Sequence, residues 1–289
     1  MSLWHVIVLA IVQGLAELLP VSSSAHVVVA EKLMGMDPTA PAMTLLLVML
    51  HTGTMFAVIV YFWRQWCRTY FRSAETFKTI ILQLIIASVF TGIIGFGLIE
   101  FIEKVVLHTK HAQIEQLFGR LDLIGPALAA VGILILIAGL TENRTRPAEQ
   151  EDPGTGLNGK QASWIGVIQG LAIPFRGFSR SGATISTGML LGVAKARAEE
   201  FSFALAVILT PAAIAREAWR LNKAQHLAGA GNLSAAWGPS LLGALFAFLA
   251  GLLALKWLSR WLENGRWYWF GVYCLLAAGA VEYLHHVGY

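Results

Sequence analysis

Two short stretches of this chain concentrate the residue types that could do chemistry. Phe175 to Ser186 carries two arginines, four hydroxyl residues and two glycines between apolar flanks. Stripping an arginine of water at mid-bilayer costs about 3 kcal/mol on insertion scales, so it should face protein or a wet cavity and hold an anion. Glycines let backbone approach a ligand closely, and the N–H groups that open the following helix donate to oxyanions. Arg180 with Ser179, Ser181, Gly182 and Thr184 therefore reads as a phosphate cradle. The second stretch is Gln13 to His26. Gln13 and Glu17 are four apart and share one helix face, and a carboxylate in apolar sequence must be paired, protonated or bound to a cation. Glu17 either bonds to the nearby serine hydroxyls and N–H groups of the hairpin tip or, set opposite Arg180 and a phosphate, holds a divalent cation, magnesium or calcium, with Gln13 beside it. Ser22, Ser23, Ser24 and His26 add three hydroxyls and an imidazole. They offer either helix capping or a nucleophile with a base in reach.

His51 reads as a buried packing residue beside the site. Arg176 is either a second phosphate contact or an interface anchor. Glu200 is either helix-end charge or a group turned towards the basic motif.

The elements that must carry these residues follow from composition. Of 289 residues, 56% are hydrophobic and 13% charged, which excludes an ordinary soluble domain and reads as a polytopic membrane protein. The net charge of +4 does not point to nucleic acid, because the basic residues sit at the ends of apolar runs. Met1 to His5 has no basic segment, so no signal-peptide removal is expected. Cys67 and Cys274 suit neither a disulfide framework nor a metal site.

Apolar segments before Gln13 and before Pro174 are too short to span and break at polar clusters. Each is expected to form a re-entrant helical hairpin with its polar tip inside the protein. Three spans are expected after the first hairpin, at 42–63, 79–101 and 122–140, and three after the second, at 200–218, 238–256 and 267–284. Gln-Gly-Leu-Ala opens both series, at Gln13 and Gln169. A hairpin plus three spans crosses the membrane an odd number of times, so the second copy should be inverted and the two breaks should meet in one pocket. The fold class is all-α: one membrane domain of two inverted repeats, 1–140 and 164–289, joined by a cytoplasmic linker, 141–163. Placing the N-terminus outside puts twelve Lys and Arg on inner segments against seven on outer ones.

Gln13-x-x-x-Glu17, then Leu19-Pro20-Val21-Ser22-Ser23-Ser24-Ala25-His26, with Gly177-Phe178-Ser179-Arg180-Ser181-Gly182-Ala183-Thr184 in the second half, resembles the undecaprenyl-diphosphate phosphatase family of bacterial inner membranes. The similarity covers nearly the whole chain. It implies an integral, inverted-repeat enzyme that removes the terminal phosphate of the lipid carrier of cell-wall synthesis, and it links the chain to bacitracin resistance. Carried over by position, it makes Glu17, Ser23, His26 and Arg180 catalytic. Arg176 stands where the family has proline, Ala25 where it has glycine and Leu18 where it often has an aromatic residue.

The attacking group is then Ser23 or a water, with Glu17 or His26 as base. The implied partners are a polyprenyl diphosphate and the bilayer, with a homodimer admitted and no nucleic acid. The site is expected to face the outer side of the inner membrane. The rival reading is a transporter or flippase for a phosphorylated lipid or other anion, since broken helices in inverted repeats also suit transport.

Overall fold

Short apolar helices broken by polar turns alternate with long ones. A computed structural model describes residues 2–36, 41–106, 117, 119–142, 157–228, 234–263 and 266–289. They form ten α-helices and no strand: α1 (Leu3–Leu18), α2 (Ser23–Leu33), α3 (Pro41–Thr69), α4 (Ala74–Phe101), α5 (Leu121–Glu142), α6 (Gly159–Ala172), α7 (Arg180–Leu190), α8 (Lys195–Ala228), α9 (Ser234–Glu263) and α10 (Tyr268–His286). A short π-helical turn, Ile102–Val106, prolongs α4.

The order short, short, long, long, medium occurs twice, once from α1 and once from α6, as the repeated Gln-Gly-Leu-Ala anticipates. With 16 and 11 residues, α1 and α2 rise about 24 and 17 Å. Neither crosses about 30 Å of hydrocarbon alone. The same holds for α6 and α7, of 14 and 11 residues. Among the described residues, five helical segments are long and apolar enough to span: Ala42–Thr69, Ala74–Val105, Leu121–Thr141, Lys195–Trp219 and Ala236–Leu258. The sixth expected span forms as α10, but Glu282, His285, His286 and its tyrosines keep it below that level of apolarity.

Most of the expected linker, 143–156, lies outside the described residues. Its end is helical: Asn158 caps α6 by accepting from Gln161 N, while the Gln161 side chain accepts from Asn158 N. This capping box starts the helix at Gly159, five residues before the expected boundary.

Two units emerge by contact: residues 1–19, 23–61 and 206–258, and residues 20–22, 62–205 and 259–289. Each draws on both repeats. In the first, α1 packs on α2 and their apolar faces join α3 and α9 around Val6, Leu9, Ala10, Val27, Met43, Leu46, Leu50 and Ala247. In the second, α4 packs on α6, α5 on α10, and α7 on both α5 and α6. Buried polar contacts fix that packing. Thr91 Oγ1 donates to Gly166 O (3.1 Å), Gln83 Nε2 to Leu157 O (2.7 Å), and the Trp267 indole to Ser186 Oγ (2.9 Å).

Candidate active site

The first unit holds the carboxylate. Gln13 and Glu17 lie one turn apart on α1, and Gln13 Nε2 donates to Glu17 Oε2 at 3.2 Å. Ser23 opens α2 and its hydroxyl donates to the same oxygen at 2.5 Å. A bond this short from a hydroxyl to a carboxylate is a strong, charge-assisted one. His51, on α3, brings Nε2 to 3.9 Å from Glu17 Oε2. Gln13 and Ser23 are buried. Sequence spacing anticipates Gln13 beside Glu17, and the serine cluster anticipates Ser23. His51 stands closer to the chemistry than a packing residue would. Ser24 and His26 continue the first turn of α2, His26 three residues after Ser23 and so on the same side of the helix. Both are half-buried.

The chain reaches Ser23 through a strained residue. Ser22 has φ +69°, among the described residues the only non-glycine with positive φ. That conformation costs an L-residue about 1–2 kcal/mol and persists only where the surroundings enforce it. Pro20 to Ser22 belong to the second unit. There the Pro20 carbonyl accepts from the Cys274 thiol at 3.5 Å and lies against Gly182, where an added Cβ would come within 3.1 Å of it. Within the second unit, Pro20 thus lies against the first turn of α7.

That start carries the second motif. Gly177 has φ +101°, and a Cβ there would stand 2.4 Å from Ile124 O, so only glycine makes this turn. Ser179 caps α7, its Oγ accepting from Gly182 N at 3.2 Å, and Ser181 Oγ lies 3.5 Å from Ser179 Oγ. Arg180 is the first helical residue, where the dipole and the backbone N–H groups of the first turn favour an anion. Thr184 is fully buried; its hydroxyl donates to Arg180 O at 2.8 Å and pairs with Ser202 Oγ of α8 at 2.6 Å. It ties the arginine's turn to α8.

Glu200 does not turn to the basic motif. It bonds Arg197 Nη1 at 2.9 Å, Gln65 Nε2 at 3.2 Å and the Thr69 hydroxyl, joining the end of α3 to the first turns of α8. Burial, then the nearby Glu200 carboxylate, push the Tyr70 phenol well above its ordinary range, so it stays protonated there. Nothing in the motif spacing announces this network, because its partners lie some 130 residues apart.

The second Gln-Gly-Leu-Ala has no acid one turn on. Gln169 is followed four residues on by Ile173, and its Nε2 reaches Thr91 Oγ1 of α4 at 3.4 Å instead. The carboxylate belongs to the first copy and the arginine to the second.

Comparison with known proteins places the chain in a family. Residues 6–280 match the family described as bacitracin resistance protein BacA. The chain is 54% identical over 286 residues to undecaprenyl-diphosphatase 2 of Acinetobacter baylyi, covering 97% of each. It is 35% identical to undecaprenyl-diphosphatase of Desulfosudis oleivorans, covering 96% of this chain and 97% of that one. It is equally similar, at 35%, to undecaprenyl-diphosphatase 2 of Burkholderia thailandensis, covering 96% of this chain and 95% of its relative. A match over this length leaves one assignment: the chain belongs to the bacitracin resistance protein BacA family.

Proposed function

We propose that this protein is an undecaprenyl-diphosphate phosphatase, a multi-pass membrane enzyme that hydrolyses the lipid diphosphate to its monophosphate and inorganic phosphate. Relatives that carry this activity in their names match from end to end. The observation that carries the chemistry is the 2.5 Å hydrogen bond from Ser23 Oγ to Glu17 Oε2. A transporter needs an anion site, and Arg180 on a helix N-terminus supplies one; it has no use for a hydroxyl poised on a carboxylate.

Glu17 takes the proton of the attacking hydroxyl, either Ser23 itself or a water that Ser23 orients. The new P–O bond forms at the terminal phosphorus while the bridging P–O bond breaks, and the electron pair leaves with the lipid monophosphate. If Ser23 attacks, water then hydrolyses the phosphoserine. His26, one turn along α2, is placed to return a proton. Arg180 and the first turn of α7 hold the phosphoryl oxygens and stabilise the charge that develops on them.

A divalent cation suits the oxygen donors present. Among the described residues no three His, Cys, Asp or Glu side chains come together to hold a metal. Glu17 and the amide oxygen of Gln13 would therefore be its protein donors, and the substrate phosphates would complete the shell, as magnesium and calcium accept. Such an ion neutralises part of the diphosphate charge. Outward orientation of the site is supported by the excess of Lys and Arg on the segments assigned to the inner side.

The test is turnover by purified protein in detergent. Polyprenyl diphosphate should yield one inorganic phosphate per lipid, and recovery of unchanged lipid would overturn the assignment.

A further inference from the structure

His51 is 34 residues from Glu17 and outside both motifs. Its Nδ1 lies 2.8 Å from Leu47 O, one turn back on its own helix. A carbonyl only accepts, so Nδ1 carries the hydrogen and the ring is tied down by that edge. The other edge, Nε2, is left facing Glu17 Oε2 at 3.9 Å. Side chains from α1, α2 and α3 thus converge on one carboxylate oxygen: Gln13 at 3.2 Å, Ser23 at 2.5 Å and His51 at 3.9 Å. The last distance exceeds a hydrogen bond, so no proton passes directly along it. His51 borders the carboxylate rather than reacting with it.

The backbone fixes this separation. Gly14, next to Gln13, packs on α9 so closely that a Cβ would lie 2.7 Å from Ala247 O and 2.6 Å from Ala250 Cβ. Gly53, two residues after His51, packs on the same helix, where a Cβ would lie 2.2 Å from Ala244 O. Ala244, Ala247 and Ala250 are spaced by three and so share one face of α9. One helix therefore sets the placement of both α1 and α3, and with it the gap between Glu17 and His51. The two side chains are partly exposed, 16% for Glu17 and 44% for His51.

We propose that His51 is a positioning residue for Glu17. The tethered ring blocks rotation of the carboxylate away from Ser23, so that Oε2 remains on the hydroxyl through each turnover. This rests on the reading of Glu17 as proton acceptor.

The experiment measures kcat and KM for purified wild type, Glu17→Gln, His51→Ala and His51→Gln on polyprenyl diphosphate, with a thermal melt of each. His51→Ala should lower kcat about 10- to 100-fold with KM within about twofold, since misplacing a reacting group by about an ångström costs that much. His51→Gln should recover most of the loss, because a planar amide fills the same space. Wild-type kcat in His51→Ala would overturn the proposal. So would a change in KM alone, or His51→Gln as impaired as the alanine variant, which would mean the imidazole itself takes part. If His51→Ala fails to fold, His51→Ser replaces it: the hydroxyl can bond a carbonyl of its own helix but is too short to border Glu17, and kcat at wild-type level would contradict the role. Undiminished Glu17→Gln would instead sink the reading of Glu17, a result separate from any of these.

Discussion

At the scale of single residues, an acid and a cation divide the work. Arg180 opens α7, and the planar guanidinium can hold two phosphoryl oxygens at once, which an ammonium cannot. Arg180→Ala should abolish turnover. Arg180→Lys keeps the charge but should lose most of the rate; near-wild-type rates for the folded alanine variant would remove the arginine from the mechanism. If Glu17 and substrate share a cation, EDTA should silence the enzyme, added magnesium or calcium should restore it, and Glu17→Gln should weaken the metal dependence. Full activity in EDTA would leave Glu17 with proton transfer alone. The pair Gln13–Glu17 is legible in sequence because four residues make one helical turn. The short bond from Ser23 is half-legible: the serine cluster marks the place, but the choice of Ser23 depends on Ser22 adopting φ +69°. His51 is not legible as a neighbour of Glu17, because only the packing of two helices on a third brings them together.

Among the elements, close helix contacts carry the precision that loops could not. Gly53 and Gly14 sit where a methyl group would meet the backbone of α9. Gly53→Ala should therefore destabilise the protein by about 1–3 kcal/mol through overpacking. Gly97→Ala is the control: nothing lies within 4 Å of a Cβ there, and replacing a helical glycine by alanine gains up to about 1 kcal/mol. Thermal unfolding in detergent should rank Gly97→Ala at or above wild type and Gly53→Ala below it; the reverse order would show that the α3–α9 contact does not limit stability. The broken helices and the long ones were readable from the length of each apolar run. The start of α6 was readable too, from Asn158 and Gln161 three apart, but the Pro- and Gly-rich composition around it favoured a longer linker. The network of Glu200 with Gln65 and Thr69 was not, since buried hydrogen bonds between helices leave no periodic trace.

For the whole molecule, the order of helices repeats, with the acid motif in the first half of the chain and the arginine motif in the second. Gln13 is followed four residues on by Glu17, Gln169 by Ile173, and the arginine motif stands only in the second half. The central claim is that the Ser23–Glu17 hydrogen bond does the chemistry while Arg180 holds the diphosphate. Phosphate release in a single turnover, with enzyme in excess over polyprenyl diphosphate, tests it most directly. Folded Glu17→Gln should retain lipid binding and release phosphate about 100- to 10,000-fold more slowly than wild type, the range that general-base catalysis supplies. Release at the wild-type rate by that variant would contradict the account.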